Sequence, residues 1–175
     1  MAGKKEARER PSWDEYFANI TIATAKRSSC LKRHVGAVII GKGKEILTTG
    51  YNGAPRGIEC CFDKDTCWRN ENEIPHGENK DLCIASHAEA NAIYQAARNG
   101  VSLNGAVLYV TTFPCPTCAK AIIQTGLTKV YYLFGYYGRQ YEFSKKLLRE
   151  AKIKTQRVKI DLEKLARENP DLKLR

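Results

Sequence analysis

Ala106-Val107-Leu108-Tyr109-Val110-Thr111, Pro116-Thr117-Cys118-Ala119-Lys120-Ala121-Ile122-Ile123-Gln124 and Lys129-Val130-Tyr131-Tyr132-Leu133-Phe134 follow one another along a single stretch of the chain. The two outer segments are short apolar runs rich in β-branched and aromatic residues, which predict buried strands. The middle one opens on proline at its first helical position and closes before Gly126, which predicts a helix. Strand, helix and strand in this order make a right-handed crossover between parallel neighbours. The alternation continues in both directions. Upstream, 88–98 predicts a helix closed by Asn99-Gly100. Downstream, 142–151 predicts a helix, 153–160 a last strand and 162–168 a short basic helix.

Towards the N-terminus, Ser12 is placed to cap a helix running through Trp13, Phe17, Ile20 and Ala23-Thr24, with a stop near Ser28-Ser29. Segments 34–41 and 45–51 read as strands joined by a hairpin turn at Lys42-Gly43-Lys44. The expected class is α/β, a three-layer α/β/α domain around a mixed five-stranded sheet. The 175 residues suffice for one such domain with a core and are too few for two. With 43% hydrophobic and 27% charged residues, wholesale disorder and fibrous repeats are excluded. Residues 1–10 are expected to be a flexible basic tail, and 160–175 a basic C-terminal helix or tail. The longest apolar run, Val35-Gly36-Ala37-Val38-Ile39-Ile40, is far short of the ~18 residues a membrane span needs. The charged first ten residues lack a signal-peptide core. A cytoplasmic chain with no membrane partner is the expectation.

The formal net charge is +10. Residues 1–10 carry four basic and two acidic groups, residues 139–175 twelve and six, and residues 11–138 thirteen against eleven. A nearly neutral middle between basic ends describes solvated helix faces better than a polynucleotide-binding stripe, so nucleic acid is not the expected partner. Seven cysteines, an odd number in an intracellular setting, point to metal ligation rather than to a disulfide framework. Four of them, Cys60, Cys61, Cys67 and Cys83, lie in a polar insertion, 58–86, without sustained periodicity. A loop of that length inside a small domain needs a pin.

Two short stretches carry the chemistry: Ser86-His87-Ala88-Glu89 and Pro114-Cys115-Pro116-Thr117-Cys118, each at the start of an expected helix. His87, Cys115 and Cys118 supply one imidazole and two thiolates. Three protein ligands with an open fourth position mark a catalytic rather than a structural zinc. A helix N-terminus favours the thiolate form of both cysteines. Glu89 stands two residues from His87 and can move protons without binding the metal. Each piece has a plainer meaning alone: Ser86 and Glu89 fit a capping box, and Cys-x-x-Cys fits a redox or structural pair. Together, His-x-Glu and Pro-Cys-x-x-Cys form the signature of zinc-dependent nucleobase deaminases.

From about Ser29 to Lys154 the chain resembles the deoxycytidylate (dCMP) deaminases of the cytidine-deaminase-like superfamily. The residues that carry the resemblance are His34-Val35-Gly36-Ala37-Val38-Ile39, Thr49-Gly50-Tyr51-Asn52-Gly53-Ala54-Pro55-Arg56-Gly57, His87-Ala88-Glu89-Ala90-Asn91-Ala92-Ile93, and Leu108-Tyr109-Val110-Thr111 leading into Pro114-Cys115-Pro116-Thr117-Cys118-Ala119-Lys120. Gly50-Tyr51-Asn52-Gly53 with Pro55 separates this branch from other deaminases sharing the zinc motif. The resemblance implies a cytidine-deaminase-like fold and hydrolysis of dCMP to dUMP and ammonia, with Glu89 as the catalytic proton carrier. It implies Asn52 at the deoxyribose and Phe113 and Pro114 against the base. Arg27, Lys32 and Arg33 are candidates for the phosphate, with solvated charge at a helix end as the alternative. It further implies a second, structural zinc on Cys30, Cys60, Cys67 and Cys83, with Cys61 as the alternative to Cys60 and His76 in reserve. Long-chain relatives imply a hexamer of identical subunits, and effector binding of dCTP or dTTP with Mg2+ at Tyr51, Asn52, Gly53 and Arg56. The stretch Phe134-Gly135-Tyr136-Tyr137-Gly138-Arg139 departs from the acidic run many relatives have there.

Overall fold

Gly36-Ala37-Val38-Ile39-Ile40 is buried at every position, and it forms the strand about which the molecule is built. The structure is a computed structural model and describes residues 10–75, 78–161, 165–167 and 169–174. Strand β1 (Gly36–Ile40) pairs antiparallel with β2 (Ile46–Tyr51) on one side and with β3 (Val107–Thr112) on the other. Beyond β3, strands β4 (Lys129–Phe134) and β5 (Lys154–Arg157) are parallel, giving the order β2-β1-β3-β4-β5. The mixed five-stranded sheet is therefore as expected, and its two parallel steps are the crossover read from 106–134 and the one that continues it downstream.

Three layers follow from which helix covers which face. Helix α1 (Trp13–Ala25) packs Phe17, Ala18 and Ile22 against Val38, Ile40 and Tyr109. On the opposite face α4 (Ala88–Arg98), α5 (Pro116–Gln124) and α6 (Arg139–Glu150) bury Ala92, Ala96, Ala119, Ile122 and Leu148 against Ala37, Ile39, Leu108 and Val130. The Ser12 hydroxyl accepts from Glu15 N at 3.2 Å and so starts α1 as a cap. Two glycines set how closely helices approach the sheet. A Cβ at Gly36 would run into Thr21 O and Ala25 N of α1, and one at Gly50 into Ala88 O and Ala92 N of α4. The second contact matters most here, because α4 carries His87 and Glu89 at its first turn.

Differences from the sequence-based expectation are local. Helix α6 begins at Arg139, directly after Gly138, whose φ of 102° ends the preceding loop. Strand β5 stops at Arg157, an exposed edge with little apolar content to reveal it. The insertion holds two four-residue helices, α2 (Cys61–Lys64) and α3 (Trp68–Glu71), and a 3-10 turn at Lys80–Leu82. Of the expected flexible tail, residues 1–9 lie outside the described residues, as do His76 and parts of the expected 162–168 helix. The end of the C-terminal segment docks on the core: Leu174 is buried with Phe17 and Val38, and Lys173 N donates to His34 Nδ1 at 3.1 Å. No helix among the described residues is long and apolar enough to cross a membrane.

Candidate active site

His87 is the N-cap of α4 and Cys115 the N-cap of α5, and neither side chain caps its own helix. The imidazole and the thiol are thereby left to face one another. Ser86 does not cap α4: its N–H donates to Gly53 O and its carbonyl accepts from Gly53 N, at 2.9 and 3.2 Å. The capping-box meaning of Ser86 and Glu89 therefore lapses. His87 Nδ1 lies 3.4 Å from Cys115 Sγ and 3.4 Å from Cys118 Sγ. The three donor atoms all fall within 4.8 Å of one another. Tetrahedral zinc with ordinary Zn–S and Zn–N bonds places such atoms about 3.5 Å apart, so the donor set fits the ion in both chemistry and spacing.

Electrostatics sort the groups by role. The Cys115 thiol is pulled down to about 4 by the hydrogen bond from Cys118 and by His87. Cys118 moves the other way, because it donates to Cys115 and is buried. The lowered Cys115 thiol is drawn towards the thiolate, the form a metal takes. Glu89 is 5% exposed, and burial raises its carboxyl above the usual range, with His87 opposing. A carboxyl that exchanges a proton readily, beside three metal donors, is equipped for general acid–base work.

His87, Cys115 and Cys118 open onto a cavity of about 700 Å³, with Pro116 beside them on the helix side. Asn79, Asp81, Cys83 and Ser86 of the insertion form its other wall, with Gln140 and Tyr94 at its ends. The sequence profile of the cytidine and deoxycytidylate deaminase zinc-binding region matches residues 11–134. The chain belongs to the cytidine and deoxycytidylate deaminase family. It is 43% identical over 129 residues to the deoxycytidylate deaminase of Schizosaccharomyces pombe, covering 74% of this chain and 39% of that protein. To the deoxycytidylate deaminase of Mycobacterium phage D29 it is 42% identical over 128 residues, covering 70% of this chain and 95% of the phage protein. The chain spans less than half the length of its fungal relatives and nearly all of the phage one. Among solved structures, the dCMP deaminase of cyanophage S-TIM5 in complex with dCMP and dUMP superposes with a TM-score of 0.67 at 26% identity, over 86% of this chain and all of that one.

Within this family frame the remaining expected residues divide. Asn52 lines neither the catalytic cavity nor its neighbour. Its Oδ1 accepts from Val35 N and Ser28 Oγ, both at 2.7 Å, and its Nδ2 donates to Arg33 O at 2.8 Å. It braces the 28–35 segment. Phe113 and Pro114 are correspondingly drawn inward: Phe113 is 2% exposed against the Tyr132 and Tyr141 rings, and Pro114 is fully buried. They form the floor beneath Cys115 and not a wall of the cavity. Arg33 lines a separate hollow of about 370 Å³ at the carboxyl ends of β3 and β4, together with Thr112, Tyr132, Tyr136, Tyr141 and Arg157. Tyr136 Oη donates to Pro114 O at 3.2 Å, which sets this hollow directly beside the cysteine loop. Lys32 faces a different hollow under the C-terminal segment, and Arg27 is exposed at the end of α1.

Tyr51, Gly53 and Arg56 line a cavity of about 670 Å³ against Asn91, Tyr94, Gln95 and Arg98 of α4. Pro55, Ser86 and Tyr94 belong to both this cavity and the catalytic one. Arg98 was legible as part of a polar stripe, Asn91-Gln95-Arg98, at helical spacing. Arg157 was not, because only strand pairing places it opposite Tyr132. In the insertion, the Cys61 thiol is raised by burial and then by Cys67, with smaller contributions from Cys30 and Cys83. Cys60 is turned outward, its Sγ bonded to Asp63 Oδ2 at 2.9 Å. Cys67, Cys30 and Cys83 thus all lie near enough to act on Cys61, which is 7% exposed, while Cys60 is half-buried.

Proposed function

We propose that this chain hydrolyses dCMP to dUMP and ammonia, supplying dUMP for thymidylate synthesis. The observation that carries the reading is the convergence of His87, Cys115 and Cys118 on one cavity, with the buried Glu89 next to them. Zinc held by these three side chains supplies Lewis acidity towards water when it is bound. The protein's part is proton transfer and orientation. Glu89 takes a proton from the attacking water, places it on ring N3, and carries the second proton to the departing amine as the C4–N bond breaks. Its buried carboxyl suits this shuttle, since burial raises its affinity for a proton above that of an ordinary carboxylate. The names of the phage relatives support a nucleotide as substrate.

Arg33 and Arg157 are the groups we assign to the 5′-phosphate. Two guanidinium groups face one hollow there, and the buried Thr112 Oγ1 on its wall has no hydrogen-bond partner. Asn52 would act through Arg33, whose backbone it holds, and through whatever part of the deoxyribose reaches it. The cavity at Tyr51, Gly53, Arg56 and Arg98 is the place for dCTP or dTTP, the latter with Mg2+, since it shares walls with the catalytic cavity. A second zinc belongs to Cys30, Cys61, Cys67 and Cys83 in the insertion. Assembly into a hexamer and work in the cytoplasm complete the reading, the latter supported by seven cysteines with no disulfide among the described residues.

The test is a panel: dCMP, CMP, dCTP, deoxycytidine and an adenosine-bearing tRNA hairpin, each followed by ammonia release and ultraviolet absorbance. Turnover of dCMP with the unphosphorylated nucleoside poorly used supports the reading. Deamination of the hairpin and not of dCMP replaces it with a polynucleotide-editing one.

A further inference from the structure

Arg69 on α3 is buried, 8% exposed, while its neighbours Trp68 and Asn70 are exposed. Its guanidinium is received by three backbone carbonyls: Nη1 donates to Asn79 O at 2.6 Å, and Nη2 to Pro75 O at 2.8 Å and Glu78 O at 2.6 Å. A planar fork holds several carbonyls in fixed directions and over a wider span than an ammonium, whose three donors rotate about one point. Pro75 O and Asn79 O also accept from Glu78 N and Leu82 N, so the guanidinium is the contact that ties these turns to α3, and without it the backbone at Pro75, Glu78 and Asn79 is no longer held against that helix. That backbone leads straight into the catalytic cavity. Asn79, Asp81, Cys83 and Ser86 make its insertion-side wall, while His87, Glu89, Cys115 and Cys118 are held from the other side by α4 and α5.

We infer that Arg69 is a positioning residue for the substrate-facing wall at 78–86. It holds that wall at the distance from α4 and α5 that closes the cavity around a nucleotide, without touching the reacting atoms. This rests on the reading of the cavity as a nucleotide deamination site. Because the metal donors and Glu89 stand on other elements, loss of Arg69 loosens binding and leaves the chemical step in place. A misplaced wall acts mainly on KM.

Arg69→Met and Arg69→Lys decide it, the second keeping the charge should the first not fold. In Arg69→Met, KM for dCMP is expected to rise about tenfold or more with kcat within about threefold of the parent and unchanged catalytic zinc. Amides of 78–86 are expected to exchange hydrogen faster while those of α4 keep their protection. Arg69→Lys falls between the two. An unchanged KM with unchanged exchange overturns the inference, and so does a fall in kcat and zinc content matching the change in kcat/KM, which marks general loss of structure. Should the parent protein leave dCMP untouched, the functional reading fails, and exchange at 78–86 alone settles Arg69: unaltered protection in both variants rejects it.

Discussion

Two cysteine-bearing regions of this molecule are held together by different means. His87, Cys115 and Cys118 stand at the first turns of helices that bury Ala92, Ala96, Ala119 and Ile122 in the core, and their donor atoms converge within 4.8 Å. Cys30, Cys61, Cys67 and Cys83 stand on loops and four-residue helices, and among the described residues no three of them converge so closely. The first set is positioned by the packing of the sheet and its helices. The second rests on local turns, and the structural zinc proposed for it would draw it tight. A rigid scaffold can build a catalytic site in advance, whereas a structural metal organises the segment that binds it.

The comparison breaks most directly at the catalytic cysteines. Cys115→Ser or Cys118→Ser is expected to strip the ion from the catalytic set and lower dCMP turnover to background while the fold survives, checked by metal analysis and circular dichroism. Retention of full zinc and activity by either variant would remove that residue from the donor set. A smaller effect is expected at Gly50. A Cβ there meets Ala88 O and Ala92 N, so Gly50→Ala pushes α4 from the sheet and costs about 1–3 kcal/mol of stability. Thermal unfolding should register this together with reduced kcat, since His87 and Glu89 ride on the displaced helix. Unchanged melting would show that α4 is not held by this close approach.

How much of this was visible beforehand depends on whether the signal is local. The bounds of α4, α5 and β4 follow from the sequence, because Asn99-Gly100, Pro116 and Gly126 punctuate them and the apolar spacing is sustained. The catalytic donors were legible for the same reason: each lies next to a helix start. Helices α2 and α3 were not, since four residues make barely more than one turn and carry no period. Phe113 looked like a binding-loop residue, yet the rings of Tyr132 and Tyr141, distant in sequence, draw it into the core. Arg69, Arg157 and the docking of Leu174 all depend on partners remote along the chain, and composition marks none of them. Cys60 and Cys61 differ in burial, which neighbouring identical residues cannot reveal in sequence.

Sharpening the comparison calls for the insertion. Parent protein prepared without chelator is expected to hold about two zinc ions per chain, and Cys61→Ser about one. That variant should melt several degrees lower and keep its catalytic ion, with the drop near ~2–4 °C for each kcal/mol lost. Cys60→Ser should change neither zinc content nor melting. Equal losses from both variants would put Cys60 in the set. The smallest effect belongs to the neighbouring cavity: Arg56→Ala should leave the basal dCMP rate intact and flatten the response of the saturation curve to dCTP or dTTP. A parent curve unmoved by either triphosphate would take effector binding away from this cavity.

The central claim is that a buried carboxyl beside a metal donor set performs deamination. Its most direct measurement is ammonia release from dCMP by the parent and by Glu89→Gln, at matched zinc content. Because the amide keeps the shape and cannot carry the proton, the variant is expected to lose about 10²–10⁴-fold in kcat with zinc and melting unchanged. Turnover of dCMP by Glu89→Gln at close to the parent rate would contradict the account.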